Sequence, residues 1–182
     1  MALPDWILGI LFRPGETFER ARTEMTLSYW WILLSVFTLE AVLILNHPQV
    51  GRMVPTPPAD LILFNLGVFL LSVYATQVFC LFGVGWLFGW RVSFADAMKF
   101  TALVWSLFLL EDMVTFYSYL KEQTVLLFWV SIPFLAWRLV AQSLGISRVS
   151  GMPLWKAALV VVLATLPWQA PLLYENWLAA FR

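Results

Sequence analysis

Cysteine and histidine are almost missing: the 182 residues hold one of each, Cys80 and His47. A lone cysteine excludes an intrachain disulfide and a cysteine-based metal cluster. Inside an apolar run, Cys80 reads as a small buried hydrophobe. His47 stands before Pro48 with no metal-spaced partner and no Gly-flanked serine elsewhere, so it reads as a solvated loop residue. Charge is scarce too, at 12% against about 25% in a typical soluble domain. The 11 basic residues balance the 11 acidic ones, which leaves no bulk attraction for nucleic acid. No glycine-rich loop is present to cradle a phosphate. The opening Met1-Ala2-Leu3-Pro4-Asp5 lacks a basic segment ahead of an apolar one, so no cleaved signal peptide is expected. These absences predict a chain that is not an enzyme, with no catalytic residues, no cofactor, no metal and no nucleic-acid partner.

What the chain has in quantity is apolar surface. Hydrophobic residues make up 62% and the mean hydropathy is +0.82, well beyond a soluble domain. A bilayer span needs about 20 apolar residues, and five such runs can be read, at about 28–46, 61–88, 97–115, 124–144 and 154–173. The predicted fold is an all-α, polytopic five-helix transmembrane bundle forming a single domain over 1–182. The second run exceeds one span and must tilt, bend near Gly83 and Gly85, or emerge into the interface. Pro133, Pro167 and Pro171 lie inside runs, where neighbouring helices can satisfy the freed carbonyls. If the spans alternate, Arg13, Arg20, Arg22, Arg91, Lys99, Arg138, Arg148 and Lys156 share one side, and Arg52, Lys121 and Arg182 the other. That bias puts the N-terminus in the cytoplasm and the C-terminus outside. Trp30, Trp31, Trp86, Trp90, Trp137 and Trp155 then fall at cytoplasmic ends, where indoles anchor.

Residues 1–27 hold Trp6, Ile7, Ile10 and Leu11, then Phe18, Ala21 and Met25 at helical spacing. They predict a short N-terminal interfacial amphipathic segment lying along the inner leaflet. Ser93-Phe94-Ala95-Asp96 has the form of a capping box, and Gly145 fits a helix stop. Gly83, Gly85 and Gly89 would permit close helix approach.

A family resemblance rests on short elements. Pro14, Thr17 and Phe18 form a Pro-x-x-Thr-Phe element before the first span. Gly89, Ser93 and Phe94 form a Gly-x-x-x-Ser-Phe turn between the second and third. Gly145-Ile146-Ser147 closes the Trp-rich fourth run, and Lys156-Ala157 opens the fifth. In these the chain resembles the Yip family, the five-span Rab/Ypt-interacting membrane proteins and their prokaryotic relatives. The resemblance implies a non-catalytic membrane-organising or adaptor protein. Its partners would be the lipid bilayer and either a second copy or another membrane protein. Eukaryotic members engage GTPases through a long cytosolic N-terminal region. Only 27 residues precede Ser28 here, which argues against a GTPase partner and for a prokaryotic relative in the plasma membrane.

Ionisable groups inside the runs suggest an alternative. Glu40 stands 12 residues past Ser28 and Glu111 12 past Lys99. Each is therefore about 18 Å along its helix, just beyond the middle of a core roughly 30 Å thick. Intramembrane carboxylates are costly and often functional. Glu40, Asn65, Gln169 and either Glu111 or Asp112, which point about 100° apart on one helix, are therefore read as one polar site, which would serve a small transporter or channel for a cation, a proton or a small solute.

Overall fold

The computed structural model describes residues 3–26, 28–46, 57–90, 93–111, 113–114 and 124–181. Every element among them is helical: α1 (Leu3–Phe12), α2 (Pro14–Glu24), α3 (Ser28–Leu45), α4 (Ala59–Leu87), α5 (Phe94–Trp105), α6 (Thr124–Ser150) and α7 (Leu154–Phe181). The helix ends follow from local chemistry. Pro14 opens α2 at a position where its missing N–H costs nothing. Gly89, at φ +84°, closes α4. The bonds Trp90 N–H to Gly85 O (2.8 Å) and Gly89 N–H to Trp86 O (3.0 Å) complete a Schellman motif there. Ser93 caps α5, its hydroxyl accepting from the Asp96 N–H at 3.1 Å. The Asp96 carboxylate faces Arg22 at 3.7 Å, so the predicted capping box is present in its first half only.

The α6–α7 hairpin makes the most extensive contact in the bundle. α4 packs on α7, α5 and α3, while α2 lies across one end against α6 and α5. Two described helices, α3 and α4, are long and apolar enough to cross a membrane, and few of their side chains are buried. Phe64, Phe69, Leu71 and Phe79 on α4 all face outward, as expected where lipid is the solvent rather than a protein core. At 29 residues α4 measures about 43 Å, and it runs past Gly83 and Gly85 without a break. The glycine expectation needs correcting at Gly85. Nothing approaches the position of a Cβ on Gly83, and the Trp90 ring of the same chain folds over Gly85. Gly85 is therefore closed to another helix, whereas the space beside Gly83 and Gly89 stays open.

Three more sequence readings change. Gly145 does not stop a helix, because α6 continues to Ser150. The stop is Gly151, at φ +70°, with the Ser147 hydroxyl donating to Met152 O at 2.7 Å. The third apolar run is not one straight helix. α5 turns at Ser106 and Leu107 before helical residues resume at 108. There Leu107 N–H reaches back only three residues, to Val104 O, a locally tightened turn. Finally, the apolar stripe of α2 is not offered to the leaflet. Phe18, Ala21 and Met25 are fully buried in the main core with Trp6 and Ile10 of α1. A ten-residue helix and an eleven-residue helix cannot hold themselves in water, and burying those side chains on the bundle is what stabilises them.

Candidate functional site

Halfway along α6, 14 residues after Thr124 and 12 before Ser150, stands a charged residue that the charge count sets on one side of the membrane although it falls inside the fourth apolar run. Arg138 Nη2 lies 3.2 Å from Glu111 Oε2, with side chains 5% and 12% exposed. The guanidinium also sits 3.9 Å from the centre of the Phe108 ring, a cation–π contact strengthened by burial. The turn at Ser106–Leu107 gives both partners their place, since Phe108 and Glu111 follow it directly. The Ser131 hydroxyl, on α6 as well, hydrogen-bonds the Glu111 carboxylate. Glu40, from α3, lies within electrostatic range of Glu111.

Next to this ion pair, Trp105 Nε1 donates to Gln77 Oε1 at 2.7 Å, linking α5 to α4. The Tyr74 hydroxyl donates to Met98 O at 2.7 Å and stabilises the same seam. Gln77, Thr101, Trp105, Phe108, Arg138 and Gln142 surround a cavity of about 20 Å³, room for a single water.

Of the five residues read as a polar site, the structure brings together Glu40 and Glu111. Asn65 is exposed and borders an apolar groove between α3 and α4 with Ile44, Leu61 and Phe69. Asp112, like His47, lies outside the described residues. Gln169 is placed on α7, and its side chain lies outside them too. Arg138, Gln77 and Gln142 were missed. The signal for Arg138 was available: apolar residues continue on both sides of it, from Val125 to Leu144. A basic residue 20 Å or so from either helix end belongs to the bundle rather than to a loop. Moving it inside reduces the loop charge bias without reversing it.

A second constellation lies where α2 crosses the end of the bundle. Pro14, Thr17 and Phe18 are buried, and the Thr17 hydroxyl donates to Arg13 O at 2.8 Å. Phe18 packs at 5.0 Å on the Phe100 ring and directly against Gly145, where any Cβ would clash with the Phe18 ring. Trp90 stacks on Phe100, 6.3 Å away, and is buried, so it is a core residue and not a lipid anchor. Around this apolar contact, Arg148 Nε meets Glu19 at 3.3 Å and Lys99 Nζ donates to Arg22 O at 3.0 Å. On the outer side of α2, Arg20 forks onto Glu24 at 3.0 and 3.2 Å. Those hydrogen bonds hold the Glu24 carboxyl below its ordinary range, a local brace in full solvent. Of the six tryptophans read as anchors, Trp30, Trp31, Trp86 and Trp155 are exposed, whereas Trp90 and Trp137 are drawn into the core.

The family model of the Yip1 domain matches residues 8–167. The chain belongs to the Yip1 domain family. No curated protein and no solved structure matches it. The matched stretch begins within α1 and ends within α7, so the Yip1 domain contains both the α2 junction and the Arg138–Glu111 pair. Of the resemblance positions, Pro14, Thr17, Phe18 and Gly145 meet at the junction, although Phe18 and Gly145 are far apart in sequence. Gly89 and Ser93 end α4 and begin α5 beside it, and Phe94 packs on Phe79 and Phe82 of α4. Short motifs spread along the Yip1 domain therefore fall at one end of one bundle.

Proposed function

We propose that this Yip1-domain chain is a five-span membrane protein, N-terminus in the cytoplasm, that organises membranes or membrane-protein partners without catalysing a reaction. The observation that carries this reading is how the interior polarity is used. Arg138 closes on Glu111 and Phe108 and Trp105 on Gln77. The space left beside them, about 20 Å³, is far below the several hundred Å³ of a small-molecule site. The polar groups tie helices together, and the outward faces remain for partners. Five alternating spans put α2, the start of α5 and the end of α6 on one side, in keeping with the Arg22–Asp96 and Arg148–Glu19 contacts. On α1, Trp6 and Ile10 face the bundle while Leu8 and Phe12 face outward. The outer side of that helix rests in the inner-leaflet interface. The test combines topology with crosslinking in native membranes. Reporters fused after Arg148 and Arg182 should report opposite compartments, and photo-crosslinkers at Trp31 and Phe64 should trap a defined protein partner. Reporters in one compartment would refute the span count, and a uniformly solitary monomer the organising role.

One observation favours a second reading, a pathway for a cation, a proton or a small solute. Glu40 lies within electrostatic range of Glu111, whose partner is Arg138, so balancing Glu40 takes one further positive charge, a proton or a bound cation. If a cation supplies it, Glu40→Gln combined with Glu111→Gln should abolish any ion-dependent rise in Tm. A wild-type protein whose Tm ignores every mono- and divalent cation would eliminate this reading.

A further inference from the structure

The cavity beside Arg138 has an owner for its space. Its walls take one polar group or more from each of four helices: Gln77 of α4, Thr101 of α5, Arg138 and Gln142 of α6, and Thr165 of α7. Thr101 is 2% exposed, and its hydroxyl has no hydrogen-bond partner among the described residues. A desolvated hydroxyl left unpaired is destabilising, and natural interiors satisfy nearly all of them. Gln77 already spends its carbonyl oxygen on the Trp105 indole, which leaves its amide nitrogen as a donor. A volume of about 20 Å³ exceeds the roughly 10–15 Å³ that one water requires, and water needs two to four polar partners.

We propose that this cavity is a fixed-water site, in which one water joins the Thr101 hydroxyl to the polar groups of α4, α6 and α7. The charge around it selects water over an ion. Glu111 cancels Arg138 locally, so a halide gains no net attraction, and a metal cation would face the guanidinium. Both ions would also surrender a hydration shell that one-molecule space cannot replace. Water, being both donor and acceptor, can accept from Gln77 or Arg138 while bonding Thr101. The site braces four helices where Thr101 and Arg138 are buried.

Thr101→Val tests this by the sign of its effect, because valine keeps the shape and removes the hydroxyl. In the full chain in detergent, a bound water that loses an anchor lowers Tm by roughly 2–8 °C. A dry cavity gives the reverse, since valine then removes an unsatisfied group and Tm stays level or rises. Thr101→Ser retains the hydroxyl and should fall by less than half as much. An equal loss in both variants, including failure of both to fold, assigns the effect to the methyl and overturns the proposal. Exchanging chloride for gluconate should leave the wild-type Tm unchanged. A halide-dependent shift would make the ligand an anion and overturn it as well.

Discussion

Arg138→Met should destabilise the protein by about 3–5 kcal/mol, the cost of stranding one member of a buried ion pair. Methionine fills much of the arginine volume, so the loss is electrostatic rather than a cavity effect. Glu111 would keep its buried position and the Ser131 hydroxyl but lose its guanidinium. For a chain of this size the expected fall in Tm is on the order of 10 °C. The informative partner is the double variant Arg138→Met with Glu111→Leu. Buried ion pairs often contribute little net stability beside a well-packed apolar replacement, so the double variant should recover more than half of the loss. A double variant as unstable as the single one would mean that Arg138 acts through packing on Phe108 and not through its charge.

The second large effect is expected at Gly145, and it runs against local propensity. In the middle of a helix, glycine to alanine normally gains roughly 0.5–1 kcal/mol. Here the added methyl would clash with the Phe18 ring, and Phe18 is fully buried against Phe100. Overpacking of this kind costs about 1–3 kcal/mol, and the most easily displaced element is α2. Gly145→Ala should therefore expose Arg20 and Arg22 to trypsin in membrane vesicles with that face outward, measured as a faster cleavage rate. Adding Phe18→Ala makes room for the methyl, and the cleavage rate should then match that of Phe18→Ala alone. Unchanged protease resistance in Gly145→Ala would show that α2 is held by its Arg148–Glu19 and Arg22–Asp96 contacts instead.

Both effects show where the sequence could be read and where it could not. Apolar runs and prolines located the helices well, because lipid exposure leaves long stretches with no polar face to confuse the pattern. Family membership was legible from Pro14, Thr17, Phe18, Gly89, Ser93, Phe94 and Gly145. What those residues do was not, since Gly145 at the end of an apolar run looks like a stop and only a tertiary neighbour shows otherwise. Periodicity identified the buried stripe of α2 without saying whether protein or lipid would cover it. Glu40 and Glu111 were singled out by depth arithmetic along single helices, an argument that the turn at Ser106 and Leu107 interrupts for Glu111. Arg138 escaped because counting basic residues by loop presumes that each cation prefers water, and a cation with a carboxylate and an aromatic ring at hand does not.

The contact between Arg148 and Glu19 spans 129 positions of the chain, and this has a consequence for biosynthesis. At about 5–20 residues per second, the ribosome adds Arg148 some 6–26 seconds after Glu19. Throughout that interval the apolar side of α2 has only α1 and then α5 to pack on, and chaperones or the adjoining leaflet must shelter the side that α6 will cover. Closure of that end of the molecule is thus a late event in assembly, and a nascent chain halted before α6 would display Phe18 and Met25 to quality control.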